Sequence, residues 1–142
     1  MNSMKNSEAP RAEARIQRVL LIDDERPVVD MLSDFLLTRG YAVSKAYDGE
    51  EGIRKFDSDK PDIVMCDIRM PNKDGYAFLQ EIRKSRDWVP VIMVTAVSDP
   101  ASVLKGYAFE ADYYITKPIN LEETLKALKI MLSLAPLRKK NS

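Results

Sequence analysis

Short, wholly apolar runs set the pattern of this sequence. Val19-Leu20-Leu21-Ile22, Ile63-Val64-Met65-Cys66 and Val91-Ile92-Met93-Val94 are unbroken, and Tyr113-Tyr114-Ile115 is a shorter fourth case. Such runs mark strands buried on both faces. Tyr41 to Ala46 is more polar and suits a strand nearer a sheet edge. Helical spacing fills the intervals. Val28, Met31, Leu32, Phe35 and Leu36 recur at i, i+3, i+4, i+7 and i+8. Pro27 fits that helix's first turn and Gly40 its stop. Glu50 to Phe56 is a short, weak second helix. Phe78, Leu79 and Ile82 mark a third, capped by Asp74. Asp99-Pro100 opens a fourth, carrying Val103, Leu104 and Tyr107. The fifth begins with Asn120, with Glu123 three residues on as in a capping box, and carries the stripe Leu121, Leu125, Leu128 and Leu132.

Strict strand–helix alternation implies a parallel sheet with right-handed crossovers and helices on both faces. The alternation does not fix strand order. In the order 2-1-3-4-5, strands one and three meet where the winding reverses, and ligands bind beyond the carboxyl ends of the strands at that point.

Those ends carry the chemistry. Strand one runs into Asp23-Asp24-Glu25, strand three into Asp67, strand four into Thr95, and strand five through Thr116 into Lys117-Pro118. A parallel sheet gathers them on one rim. Asp23, Asp24 and Asp67 would repel one another there, raising at least one pKa, and a divalent cation with oxygen ligands resolves the conflict. Lys117 adds a positive charge and Thr95 a hydroxyl. Metal, ammonium and hydroxyl together suit the spreading charge of a phosphoryl group in transfer. Asp67 is then the natural nucleophile. Singly, an acidic pair is often a solvated loop, a strand-end threonine usually satisfies local backbone, and Lys-Pro is usually a surface turn. The reading rests on all four strand ends carrying what one site requires.

Composition narrows the alternatives. Lysine plus arginine and aspartate plus glutamate balance at 22 each, so no global field steers the chain to nucleic acid or membrane. With no histidine and one cysteine, a disulfide framework, a Cys/His zinc site and a histidine-based catalytic pair are excluded. The chain cannot itself be a phosphohistidine donor. Its apolar runs fall far short of a membrane span, and its start lacks an apolar signal core, so the expected compartment is the cytoplasm. The expected organisation is a mobile leader over residues 1–17, a domain over 18–134 and a basic tail over 135–142.

The segments Leu20 to Glu25, Met65 to Gly75, Val94-Thr95-Ala96 and Tyr114 to Pro118 resemble the signature segments of response regulator receiver domains, in the family's order. The resemblance covers roughly residues 18 to 134. It implies a doubly wound, flavodoxin-like α/β fold with strand order 2-1-3-4-5. It also implies a switch rather than an enzyme, one that catalyses only its own phosphotransfer and dephosphorylation. Asp67 would take a phosphoryl group from a histidine kinase or phosphotransfer protein. Asp24, Asp67 and the backbone carbonyl of Arg69 would ligate magnesium, or manganese in its place, and Asp23 would act mainly through a metal-bound water. Lys117 would contact the phosphate, and the Lys117-Pro118 bond would be cis. Thr95 would move toward the phosphoryl group and Tyr114 inward, reshaping the surface of helix four, strand five and helix five for an unidentified effector. Pairing of two copies through that surface fits the family but does not follow from the residues. Direct contact with nucleic acid or membrane is not expected.

Departures from the family pattern carry their own expectations. Arg69 and Val97 stand at the positions that tune phosphate lifetime. Val97 cannot orient a water by hydrogen bonding, so a long-lived phosphorylated form is expected. Glu110 replaces the usual glycine and Gly106 weakens helix four, so mobility is expected there, against a reading of harmless variation. Burial against the sheet is expected for Ile130, Met131 and Leu134, with a partner face as the alternative. Cys66 and Trp88 read as packing.

Competing functions fail on particular residues. A haloacid-dehalogenase-type phosphatase needs an acid where Arg69 stands. A flavodoxin's phosphate loop would not carry Asp23-Asp24-Glu25. A receiver-like interaction module that works without phosphorylation usually lacks a site residue, and none is missing. The cognate kinase, the signal and the output remain unspecified by the sequence, which suits a stand-alone regulator and the receiver of a longer protein alike.

Overall fold

The computed structural model describes residues 15–84, 88–96 and 111–141. Five strands form one sheet: β1 (Arg18–Ile22), β2 (Ala42–Ala46), β3 (Ile63–Asp67), β4 (Val91–Thr95) and β5 (Tyr113–Thr116). All neighbours are parallel and their order is β2-β1-β3-β4-β5. Four helices are described: α1 (Arg26–Thr38), α2 (Gly49–Asp59), α3 (Gly75–Ile82) and α4 (Leu121–Asn141). This α4 is the fifth helix of the sequence reading. The expected fourth, from Asp99-Pro100, lies outside the described residues together with Val97, Gly106 and Glu110, as does most of the leader.

The three unbroken apolar runs work as two-sided strands, whereas the shorter Tyr113-Tyr114-Ile115 run is the edge strand β5, in which only Ile115 is buried. Side chains alternate across a strand, so Leu20, Ile22, Val64 and Met93 join one core and Val19, Leu21, Met65 and Ile92 the other. Phe56 of α2 and Phe78, Leu79 and Ile82 of α3 close the first face. Val29, Leu32 and Leu36 of α1 and Leu125, Leu128 and Leu132 of α4 close the second. Cys66 is fully buried in the first core. The fold is the doubly wound flavodoxin-like arrangement, with β2 at the edge as its polarity required.

Local chemistry sets the helix ends. Asp48 and Asp74 cap α2 and α3, accepting from the backbone N–H of Glu51 and Ala77 at 2.8 and 2.9 Å. Asn120 accepts from Glu123 N–H at 2.9 Å and so starts α4. Gly40, at φ +93°, supplies the left-handed residue after α1. Helix α4 continues through Pro136 to Asn141. Ile130 and Leu134 are exposed, which corrects the expectation that they pack on the sheet; only Met131 of that trio is partly buried in the second core. Their positions on the helix lie off the Leu125–Leu128–Leu132 stripe, so the turn that buries the stripe points them outward.

At the opposite end of the sheet, Asp112 joins three elements. Its carboxylate accepts from Arg83 at 2.8 Å and from Val91 N–H at 2.8 Å, while its own N–H donates to the Val91 carbonyl at 3.0 Å. Arg83 also donates to the Val89 carbonyl and lies over the Trp88 ring, 3.7 Å from its centre. Trp88 is therefore packing, as its place before β4 suggested. No helix among the described residues is long and apolar enough to cross a membrane.

Candidate functional site

The rim at the carboxyl ends of β1, β3, β4 and β5 holds the residues picked out by the sequence. Asp67 is the last residue of β3 and Thr95 the last of β4. Register places them close: Asp67 pairs with Val94, and Ile68 N–H donates to the Val94 carbonyl at 3.0 Å. The chain after β1 is anchored by Asp23 N–H on the Ala46 carbonyl at 3.1 Å. The chain after β5 is anchored by Lys117 N–H on the Thr95 carbonyl at 2.8 Å, and the Lys117-Pro118 bond is cis. Backbone hydrogen bonds thus fix every strand end from which a site side chain projects.

Asp23, Asp24 and Asp67 each offer a carboxylate oxygen, and these oxygens lie within 4.8 Å of one another. Asp23 and Asp67 are buried, whereas Asp24 is exposed. Lys117 Nζ reaches Asp23 Oδ2 at 3.3 Å, Asp67 Oδ2 at 3.4 Å and Glu25 Oε1 at 2.6 Å. Thr95 is buried, its hydroxyl donating to the Ala96 carbonyl at 3.3 Å. Asp24, Glu25, Asp67, Arg69, Thr95 and Lys117 line an open cleft of about 290 Å³. Arg69 is exposed, and its backbone N–H bonds the Asp67 carboxylate. Tyr114 packs part-buried against the first core, while Tyr113 is exposed.

The electrostatics follow from this crowding. Burial first, then the Asp23 charge, push the Asp67 carboxyl up to about 6; Lys117 and the Arg69 N–H offset only part of that. Asp23 is also raised, chiefly by burial, against the pull of the Glu25 N–H and Lys117. For Lys117, burial favours the neutral amine, but Glu25, Asp67 and Asp23 outweigh it and hold the ammonium above the ordinary lysine range. The hydrogen bond to Lys117 lowers Glu25.

This donor set fits a hard divalent cation. It is all oxygen, it converges, and one ammonium does not bring Asp67 back to the ordinary carboxylate range. Magnesium or manganese suits it; soft-ligand metals do not.

Sequence reasoning named all of these residues except the partner that Lys117 approaches most closely. Glu25 counted only as part of an acidic run. One local signal was available: a glutamate just before a helix that has proline in its first turn, a position where aspartate, asparagine or serine usually caps. Asp112 likewise has no role in the sequence reading. Its tie to Arg83 joins residues 29 positions apart and leaves no local trace.

Comparison with known proteins agrees with the geometry. The response regulator receiver domain pattern matches residues 19–129. The probable transcriptional regulator ycf27 of Guillardia theta is 41% identical over 116 residues, covering 82% of this chain and 45% of that protein. The ycf27 protein of Porphyridium aerugineum is 40% identical, covering 82% and 48%. The chain therefore spans less than half the length of these two relatives. Among solved structures, a CheY-like receiver domain protein from Methanospirillum hungatei superposes with a TM-score of 0.82 at 27% identity, covering 87% of this chain and 99% of that one. Chemotaxis protein CheY4 of Vibrio cholerae gives 0.78 at 30% identity, covering 82% and 99%. With this match over most of its length, and acidic, hydroxyl and lysine residues on one rim of the 2-1-3-4-5 sheet, the chain belongs to the response regulator receiver domain family.

Proposed function

We propose that this domain is a phosphorylation-activated switch whose phosphoacceptor is Asp67. The observation that carries the reading is the convergence of Asp23, Asp24, Asp67 and Lys117 on one open cleft, with Thr95 at its wall. In the transfer, an Asp67 carboxylate oxygen attacks the phosphorus of a phosphohistidine on a kinase or phosphotransfer protein. The P–O bond forms as the P–N bond breaks, and the imidazole nitrogen keeps the electron pair and is neutralised by a proton. Lys117 donates to a phosphoryl oxygen as charge spreads, and the Thr95 hydroxyl turns from the Ala96 carbonyl to another. Asp24, Asp67 and the Arg69 carbonyl would hold magnesium or manganese, with Asp23 behind a bound water; the cation supplies neutralising charge to the phosphoryl oxygens. Tyr114 follows Thr95, and the surface of β5 and α4, with the helix expected after Asp99-Pro100, changes for an effector or a second copy. In this reading the domain acts in the cytoplasm and catalyses only its own phosphorylation and loss of phosphate.

Intact mass after incubation with acetyl phosphate tests this. A magnesium-dependent gain of one phosphoryl group, absent in Asp67→Asn, is expected. No gain under any condition sinks the reading and favours an interaction module that works without phosphorylation.

A further inference from the structure

Lys117 is shared by three carboxylates, and one of them is unlike the other two. A lysine ammonium has three N–H donors. Asp23, Asp67 and Glu25 lie at 3.3, 3.4 and 2.6 Å, so together they can take all three. The side chains of Asp23 and Asp67 are only 8% and 9% exposed, whereas that of Glu25 is 59% exposed. The least buried partner makes the closest contact.

The backbone of Glu25 is pinned within its own turn, while its side chain leaves that turn. Its N–H donates to Asp23 Oδ1 at 2.9 Å, and its carbonyl accepts from Val28 and Val29 at 3.0 and 3.2 Å. It stands at the N-cap of α1, yet its side chain makes no capping bond. The carboxylate reaches across to Lys117 instead, 92 positions away in the chain. Glu25 also lines the cleft that contains Asp67. A phosphoryl group on Asp67 would bring a second anion into that cleft and compete for the same ammonium.

We propose that Glu25 is a positioning residue for Lys117: it latches the ammonium at the cleft mouth in the resting protein and swings away when a phosphoryl group on Asp67 takes that ammonium. The proposal rests on Asp67 being the phosphoacceptor. Of the three partners, Glu25 is the exchangeable one. Released, its carboxylate regains water at little cost, whereas Asp23 and Asp67 have no such access. The latch therefore favours the unphosphorylated state, and its removal shifts the balance toward phosphorylation.

Glu25→Asp and Glu25→Gln test this together. Aspartate keeps the charge but is one methylene shorter, and at an N-cap its side chain turns to the helix N–H groups. The latch requires both variants to take a phosphoryl group from acetyl phosphate with magnesium faster than wild type, by roughly two- to fivefold, the scale of an exposed ion pair. In the resting protein without magnesium, the ¹⁵N ammonium resonance of Lys117 is expected to be sharp in wild type and broadened by solvent exchange in both variants. Thermal unfolding of each variant checks that the fold is kept.

Acceleration in Glu25→Gln alone means simple repulsion of the donor and overturns the latch. Rates unchanged or slowed in both variants, or an ammonium resonance unchanged in both, overturn it as well. If wild type takes no phosphoryl group, the phosphoacceptor reading and the gating role fall together. The resonance still decides whether Glu25 holds Lys117.

Discussion

Burial, more than any neighbour, opposes the charge of ionised Asp67. Its ordinary carboxyl value is 3.8, and burial with Asp23 raises it to about 6. The folded state therefore binds this proton more tightly than the unfolded chain does. The stabilisation from the proton is full below about pH 4 and is lost as pH rises through about 6. Asp67→Asn removes the charge. Without magnesium at pH 7 to 8 it is expected to stabilise the protein by on the order of 1–2 kcal/mol, a gain that shrinks toward pH 4. Urea unfolding across that pH range checks the sign. At the same scale, the proposed switch makes Val97 and Arg69 the candidates for setting phosphate lifetime. The apolar Val97 offers no group to orient water, so Val97→Gln is expected to shorten the phosphorylated half-life several-fold in purified protein. Rapid loss from wild type alone would contradict the long-lived form. These residue types were legible in the sequence because each follows a strand of its own. Glu25 was not, because its meaning lies in a contact with Lys117.

At the scale of elements, two joints hold the site and the sheet. Gly75 opens α3 against β3: its N–H donates to the Ile68 carbonyl at 2.8 Å, and a Cβ there would run into the Asp67 carbonyl. Gly75→Ala is thus expected to push β3 and α3 apart, cost about 1–3 kcal/mol, and slow phosphorylation by displacing Asp67. Denaturant unfolding and phosphorylation rate, measured together, separate the two effects. The Asp112–Arg83 pair joins the end of α3 to the start of β5, with side chains only 5% and 9% exposed. Asp112→Ala leaves Arg83 charged in a buried place and is expected to cost about 3–5 kcal/mol. Asp112→Asn keeps an acceptor for Val91 N–H and should cost less. Periodicity located α1 and α4 and the Leu125–Leu128–Leu132 stripe, but on α1 it included Met31, which is exposed, and passed over Val29, which is buried. Carried to the last turns of α4, the same spacing sets Ile130 and Leu134 off that stripe, and they are exposed.

For the whole molecule, the proposed cation would be linked to the fold. A ligand that binds only the folded state stabilises it by mass action, by about 2.7 kcal/mol at a hundredfold excess over Kd. Magnesium is expected to raise the unfolding temperature at pH 7.5, less so at pH 5, where the proton on Asp67 competes. Asp24→Asn should abolish most of the rise. Differential scanning calorimetry with and without chelator decides this.

The sequence by itself determined the alternation of strands and helices, the parallel sheet and the residue types at each strand end. Those depend on local spacing, on two-sided burial of short apolar runs and on the direction of the chain. The tertiary structure decided which partners Lys117 shares, how far Asp67 is raised, and that Asp112 anchors Arg83. Coulomb energy and desolvation depend on distance and burial, and the packed sheet alone brings residues so far apart in the chain within a few ångströms.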